Sequence, residues 1–251
     1  TNFQQANCYL RLGDWQLSMQ EKLDPESIPQ LLSHFHKATL CDQQSYRVWH
    51  GWAVMNFRII QHFKNLKNNI FAKAAEGRDK KFAVFLGMYL FLKNVRLNNL
   101  GWERAAERGD SKAQQDGKYE SGSKRKQATT GNAAADREIA ELNKKIDAHV
   151  VPAITGFFRS IALAGDQSLQ DILRLLTLWF AHGQAPEVDQ ALRKGFNTVV
   201  ADSQPTKLTW LPIPPQISID TWLSVIPQII ARIHTSHLPM IEDLLGKIGN
   251  E

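Results

Sequence analysis

Asp220–His234, DTWLSVIPQIIARIH, is the stretch on which the reading of the fold turns. Trp222, Ile226, Ile229, Ile230 and Ile233 recur at i, i+4, i+7, i+8 and i+11, the spacing of one apolar helix face. Asp220 stands ahead of the run as an N-cap candidate. Pro227 sits inside it, which predicts a kink or a break, since proline cannot donate to the preceding turn. The block Leu169–Gly183, LQDILRLLTLWFAHG, is apolar over most of its circumference, with Gly183 as its stop and Ser168 or Asp166 as its cap. Two such helices cannot bury their faces alone. They need neighbours stacked on each side, which predicts a helical array.

Outward from there, the pattern stays helical. Asp136–Leu163 reads as one long helix kinked at Pro152 and ended by Gly165. Pro186–Val200 forms another, with Val188, Ala191, Leu192, Phe196, Val199 and Val200 inward. Gln204–Ser218 holds Pro205, Pro212, Pro214 and Pro215, and reads as a stiff connector without a helix of its own. Leu238–Ile248 is the last helix.

Toward the N-terminus, Phe3, Ala6, Tyr9 and Leu10 face one side of a helix over residues 2–12. Leu12-Gly13-Asp14-Trp15 then predicts a tight turn into a second short helix. The Ala-x-x-Tyr-x-x-Leu-Gly-x-aromatic order resembles the inter-helix turn of a tetratricopeptide repeat. Pro25 is expected at the first position of the next helix, capped by Asp24 and lined by Ile28, Leu31, Leu32, Phe35 and Leu40 as far as Cys41. A longer helix follows from Ser45 to about Asn65, with Trp49, Ala53, Asn56, Phe57 and Ile60 in one stripe. Trp49 and Trp52 could form a ligand platform, but large inter-helix residues are the simpler account. The expected core is Tyr9, Trp15, Trp49, Trp52, Phe57, Phe158, Trp179, Trp222, Ile226 and Ile230. The fold class is all-α, an α-solenoid of antiparallel helix pairs.

Between them the composition changes. Gly109–Ala135, rich in Gly, Ser, Lys, Gln and Ala, predicts a disordered insertion. Lys67–Arg108 reads either as a loop with a short helix or as translated intron sequence. The organisation is therefore 1–66, tetratricopeptide-like; 67–136, insertion; and 137–251, HEAT-like helices. The abrupt ends, without an initiator Met or a signal pattern, suggest a piece of something larger. No apolar run is long enough to span a bilayer; the longest, Phe82–Leu92, is bounded by lysines. The net charge of +5 lies largely in the expected insertion and does not by itself point to nucleic acid. Cys8 and Cys41 lack any metal-ligand spacing and are expected as buried thiols in a reducing compartment.

Catalytic motifs are missing from the sequence: no glycine-rich phosphate loop, no Gly-x-Ser-x-Gly, no His-Glu-x-x-His and no kinase signature. His34 and His36 would sit about 200° apart on a helix, too far round to share a metal. Asp171 and Asp189 are expected on exposed helix faces. No catalytic residue and no metal site is therefore expected. Arg11 and Arg47 are the candidates for ligand chemistry. Two guanidiniums at helix ends suit a polyphosphate through bidentate contacts; two solvated arginines paired with nearby carboxylates is the simpler alternative.

The blocks CYLRLGDWQL, YRVWHGWAVMNF, VPAITGFFRSIALA, SLQDILRLLTLWFAHG and IDTWLSVIPQIIARI resemble, in order, the C-terminal part of the FAT domain of target-of-rapamycin (TOR) kinases, which belong to the phosphatidylinositol-3-kinase-related group. The resemblance implies a non-catalytic scaffold of tetratricopeptide-like helices passing into HEAT-like ones, clamping a Ser/Thr kinase domain beyond Glu251. ATP and Mg would belong to that domain. It implies an inositol hexakisphosphate pocket, onto which Arg11 and Arg47 map; a third basic position of the family is Asn7 here, a departure that weakens the pocket. The implied partners are the chain's own kinase domain, neighbouring FAT and HEAT repeats and TOR-complex regulatory subunits, in a dimeric complex. The implied location is the cytoplasm, lysosomal or endomembrane surfaces, or the nucleus. A free-standing helical-repeat adaptor for partner peptides is the alternative.

Overall fold

The computed structural model describes residues 2–20, 22–76, 133–164, 168–197, 199–200, 217–218, 220–232 and 238–249. These form helices α1 (Asn2–Ser18), α2 (Ile28–Cys41), α3 (Tyr46–Glu76), α4 (Ala133–Ala164), α5 (Leu169–His182), α6 (Pro186–Phe196), α7 (Asp220–Leu223), α8 (Ile226–Ile230) and α9 (Leu238–Gly249). Strands β1 (Val199–Val200) and β2 (Ile217–Ser218) pair in parallel over two residues. The fold is all-α apart from that short ladder. The chain divides into one unit of Thr1–Phe63 with Lys144–Glu251 and another of Lys64–Asn143.

Within the larger unit, α1 and α2 form an antiparallel pair. Gln16 donates to Gln30 at 3.1 Å, Lys37 lies over the Tyr9 ring at 5.8 Å, and Cys41 approaches Gln5 at 4.0 Å. The turn expected at Leu12–Trp15 does not form, and α1 runs through it. Gly13 serves a close crossing instead: a methyl there would lie 2.8 Å from Cε2 of Phe35. The unbroken helix carries Trp15 round to its outer side, where it is 63% exposed. Trp15 is thus not a core residue. Cys8 is also exposed, contrary to expectation, and Cys41 is half-buried.

Helix α2 begins at Ile28, three residues after Pro25, with Pro29 in its first turn. Asp24 still serves the entry: its carboxylate accepts the Glu26 N–H at 3.2 Å and its carbonyl accepts the Ser27 hydroxyl at 2.8 Å. Leu31 and Phe35 are buried, but Leu40, expected inside, is 62% exposed. Helix α3 continues past Asn65 to Glu76, because the apolar and helix-favouring residues Ile70, Phe71 and Ala72 extend its pattern. Helix is thus present at 67–76 and 133–136, inside the span assigned to the insertion. Residues 77–132, with most of Gly109–Ala135 and all of Phe82–Leu92, lie outside the described residues.

Helix α4 crosses α3 closely at Gly156, where a methyl would lie 2.9 Å from Cβ of Ala53. Pro152 lies within α4 without ending it; Gly165 lies outside the described residues. By length and composition α4 could cross a membrane, yet half of its most apolar window is buried inside the structure, as in a core helix. Ser168 precedes α5 without a side-chain cap bond; its carbonyl accepts from Asp171 and Ile172 at 2.9 and 3.0 Å. The α5 helix ends at His182, with the Gly183 N–H returning to the Trp179 carbonyl at 2.8 Å.

Helix α6 ends at Phe196 rather than Val200, and Val199 and Val200 pair with Ile217 and Ser218. β-branched residues fit an extended pairing at least as well as a fraying helix end. The stretch Asp220–His234 breaks as its proline predicts: α7 ends at Leu223, and α8 restarts with Pro227 in its first turn, where the missing N–H is harmless. The break rotates Ile230 outward to 48% exposure and leaves Ile226 half-buried, whereas Trp222, Val225 and Ile229 are buried. Of the remaining expected core residues, Phe158 and Trp179 are buried, and Tyr9, Trp49, Trp52 and Phe57 are half-buried.

The core of this part is aromatic. Phe196 contacts Trp179 (5.0 Å between centroids), Phe158 (5.2 Å) and Trp222 (5.3 Å). Gly195 admits the Phe158 ring against α6, since a methyl there would lie 2.2 Å from it. In the smaller unit, Lys67 donates to the Asn143 side chain at 2.7 Å.

Candidate functional site

Arg11 and Arg47 lie on different helices, α1 and α3, each close in sequence to the contact of Leu10 with Gly51. Arg11 follows Leu10, whose Cδ2 would lie 3.1 Å from a methyl at Gly51, and Arg47 is one turn before Gly51 on α3. Both side chains are exposed, and Asn7, one turn before Arg11, is half-buried. Among the described residues neither arginine has a carboxylate within ion-pair distance; both are solvated, as the simpler alternative has them, but without the carboxylate partners it adds. No hydrogen bond or ring contact joins the two.

The most elaborate polar arrangement lies elsewhere, around Asp171. This residue, expected on an exposed face, is 2% exposed. Its Oδ2 accepts from His50 Nδ1 at 2.8 Å and from the fully buried Ser160 hydroxyl. Its Oδ1 accepts from Arg174 at 3.1 Å. The Tyr46 hydroxyl lies 3.4 Å from His50 Nδ1. Burial, reinforced by the Asp171 charge and opposed by Arg174, pushes the Tyr46 phenol above its ordinary value of 10.0. One carboxylate therefore ties α3, α4 and α5 together. A buried charge held by three donors is tolerated where the same charge alone would be prohibitive.

Ser, His and Asp do not here form a nucleophile. Activation requires the imidazole nitrogen to face the serine oxygen, whereas Ser160 and His50 both bond the same carboxylate oxygen. The group joins helices. A second, part-buried pair repeats the device: His149 Nδ1 lies 3.0 Å from Oδ1 of the buried Asn56, whose Nδ2 donates to the Trp52 carbonyl at 2.9 Å. Burial lowers the His149 pKa, and that of His62, below 6.5. Sequence reasoning missed both groups, because their partners lie 121 and 93 residues apart.

Trp49 and Trp52 line a groove of about 280 Å³ with His36, Thr39, Leu40, Gln43, Val151, Pro152 and Thr155. Trp49 Nε1 donates to the Gln43 carbonyl at 2.9 Å, which fixes the indole. His36 leans on the Trp52 ring at 5.4 Å, and the Arg159 guanidinium lies over the Trp49 ring at 5.9 Å. No cluster of three or more metal-ligating side chains occurs among the described residues.

The sequence is similar to those of several protein kinases. The chain is 30% identical over 245 residues to the Serine/threonine-protein kinase TOR2 of Saccharomyces cerevisiae, covering 98% of the chain and 8% of that protein. It is 31% identical over 218 residues to the Serine/threonine-protein kinase mTor of Drosophila melanogaster, covering 86% and 6%. It is 28% identical over 252 residues to the Serine/threonine-protein kinase TOR of Arabidopsis thaliana, covering 97% and 6%. The chain thus spans less than a tenth of the length of each. The family model that describes the FAT domain matches residues 1–177. With that match over more than half of its length, the chain belongs to the FAT domain family.

Proposed function

We propose that this chain is the scaffold segment of a TOR-type Ser/Thr protein kinase, holding a kinase domain that follows Glu251 and in which ATP and Mg bind. The observation that carries this reading is the similarity to TOR kinases along 98% of the chain, on a fold whose buried polar groups join helices. Asp171 stiffens the contact of α3 with α4 and α5, which suits a part that must transmit position without deforming. Neighbouring helical repeats and regulatory subunits of a dimeric TOR complex, in the cytoplasm or nucleus or on endomembranes, are the partners that follow from it. The tetratricopeptide-like part is assigned to α1–α3 and the HEAT-like part to α4–α9, the boundaries expected at 66 and 137 falling within α3 and α4.

The test is cross-linking mass spectrometry on the full-length protein, paired with an ATP-dependent phosphorylation assay. Links from Lys144, Lys145 or Lys194 to a kinase domain, together with activity, support the scaffold reading. A full-length product without a kinase domain or without activity overturns it in favour of the free-standing adaptor.

Arg11 and Arg47 form the basis of an inositol hexakisphosphate site in this proposal. Both residues are exposed and free of carboxylate partners among the described residues. A ligand present at a hundred times its Kd stabilises a fold by about 2.7 kcal/mol. Inositol hexakisphosphate is therefore expected to raise the melting temperature, and the Arg11→Ala/Arg47→Ala variant to lose that rise. An equal rise in the variant removes the site.

A further inference from the structure

The groove between the end of α2, α3 and α4 has an apolar floor, with His36 in its lining and the Arg159 guanidinium beyond it over Trp49. Trp49, Trp52, Val151 and Pro152 form the floor, and the exposed Leu40 stands at the rim. At about 280 Å³ it lies just below the ~300–1,000 Å³ of ordinary small-molecule pockets. It has room for one bulky side chain. His36, within the lining, tilts against the Trp52 ring, and Arg159, outside the lining and one turn beyond Thr155 on α4, lies over the Trp49 ring.

No carboxylate lines the groove among the described residues. Asp42, next to Gln43, turns its carboxylate back to the Gln44 N–H at 3.2 Å. Arg159 is exposed and has no carboxylate within ion-pair distance among the described residues. An exposed guanidinium on an aromatic face keeps its donors free for a carboxylate while its flat side stays packed.

We propose that this groove docks a peptide segment of another protein that presents one bulky apolar side chain flanked by Asp or Glu. The apolar side chain enters between Trp49, Trp52 and Pro152. A flanking carboxylate pairs with Arg159. The first contact supplies the buried aromatic anchor typical of interface hot spots, and the second supplies charge selection.

The test uses fluorescein-labelled peptides with a central Phe, Leu or Trp flanked by Glu, or by Lys, in a Gly/Ser background. Binding is followed by anisotropy with the 251-residue chain and with the full-length protein. Glu-flanked peptides are expected to bind at least about tenfold more tightly than Lys-flanked ones, a difference of about 1.4 kcal/mol. Arg159→Glu is expected to reverse that preference. Thr155→Trp, which fills the groove from an exposed position, is expected to abolish binding without lowering the melting temperature. Leu40→Glu serves as a second surface variant should Thr155→Trp fail to fold. Equal binding of both peptide sets, binding that survives groove filling, or no binding at all overturns the proposal. Binding to the 251-residue chain but not to the full-length protein also overturns it, since the groove is then covered by the protein's own chain.

Discussion

His50 Nδ1 and Asp171 Oδ2, 121 residues apart in sequence, lie 2.8 Å apart in a pocket that almost completely excludes water from the carboxylate. Because the carboxylate only accepts, the imidazole donates from Nδ1, and the fully buried Ser160 hydroxyl donates to the same oxygen. Removing the acceptor strands the Ser160 hydroxyl in a low-dielectric site and takes the partner from the partly exposed His50. Asp171→Ala is expected to destabilise the fold by about 2–4 kcal/mol. Asp171→Asn, which keeps an acceptor oxygen, should cost less. Urea denaturation midpoints measure both, and equal stability of wild type and Asp171→Ala contradicts the structural role.

Trp15 and Trp179 make a matched pair of tests. Trp179 is fully buried and stacked against Phe180 (5.2 Å), so Trp179→Ala is expected to cost about 3–5 kcal/mol. Trp15 is 63% exposed, and Trp15→Ala is expected to change stability by no more than about 0.5 kcal/mol in the 251-residue chain. Equal losses would mean that α1 turns at Gly13 after all.

Alanine at two helical glycines should act in opposite directions. In Gly195→Ala the new methyl meets the Phe158 ring at 2.2 Å, and overpacking of this kind costs about 1–3 kcal/mol. In Gly246→Ala it meets nothing within 4 Å, so the entropy saved in the unfolded chain dominates and the helix gains about 0.5–1 kcal/mol. Thermal melts of the two variants should shift to opposite sides of wild type.

His149 and His62 make stability depend on pH. Burial holds both below their ordinary 6.5, so below that pH the unfolded chain binds protons that the folded chain refuses. Stability is therefore fully present above 6.5 and is lost as pH falls through the lowered folded values. His149→Gln, which keeps a donor for Asn56 without a titrating ring, is expected to flatten the fall in melting temperature on acidification. A slope identical to that of wild type would assign the pH dependence to other groups.

Much of the fold was legible locally. Period-3.6 patterning identified the helices, and Pro227 marked the break between α7 and α8. Gly183 marked the end of α5. These features depend on contacts within a few residues, which the order of side chains encodes directly. Helix ends were less legible. Pro25 promised an earlier start to α2, and Val199 and Val200 looked helical because a branched apolar pair suits a helix face and a strand alike. Of the candidate ligand residues, Arg11 and Arg47 could be named from the sequence, but their setting without carboxylate partners among the described residues could not.

By itself the sequence determined an all-α chain of amphipathic helices without a catalytic motif, because helical periodicity, proline and glycine act over one or two turns. Only the tertiary structure decided which polar groups lie inside. Asp171 sits on a helix whose pattern offers it to solvent, and becomes buried because His50 and Ser160 arrive from two other helices to hold its charge. Trp15 reads as core and lies outside, because α1 stays helical through Gly13 to let Phe35 approach. Burial depends on which faces meet, and that is a property of the packed array, not of any one helix.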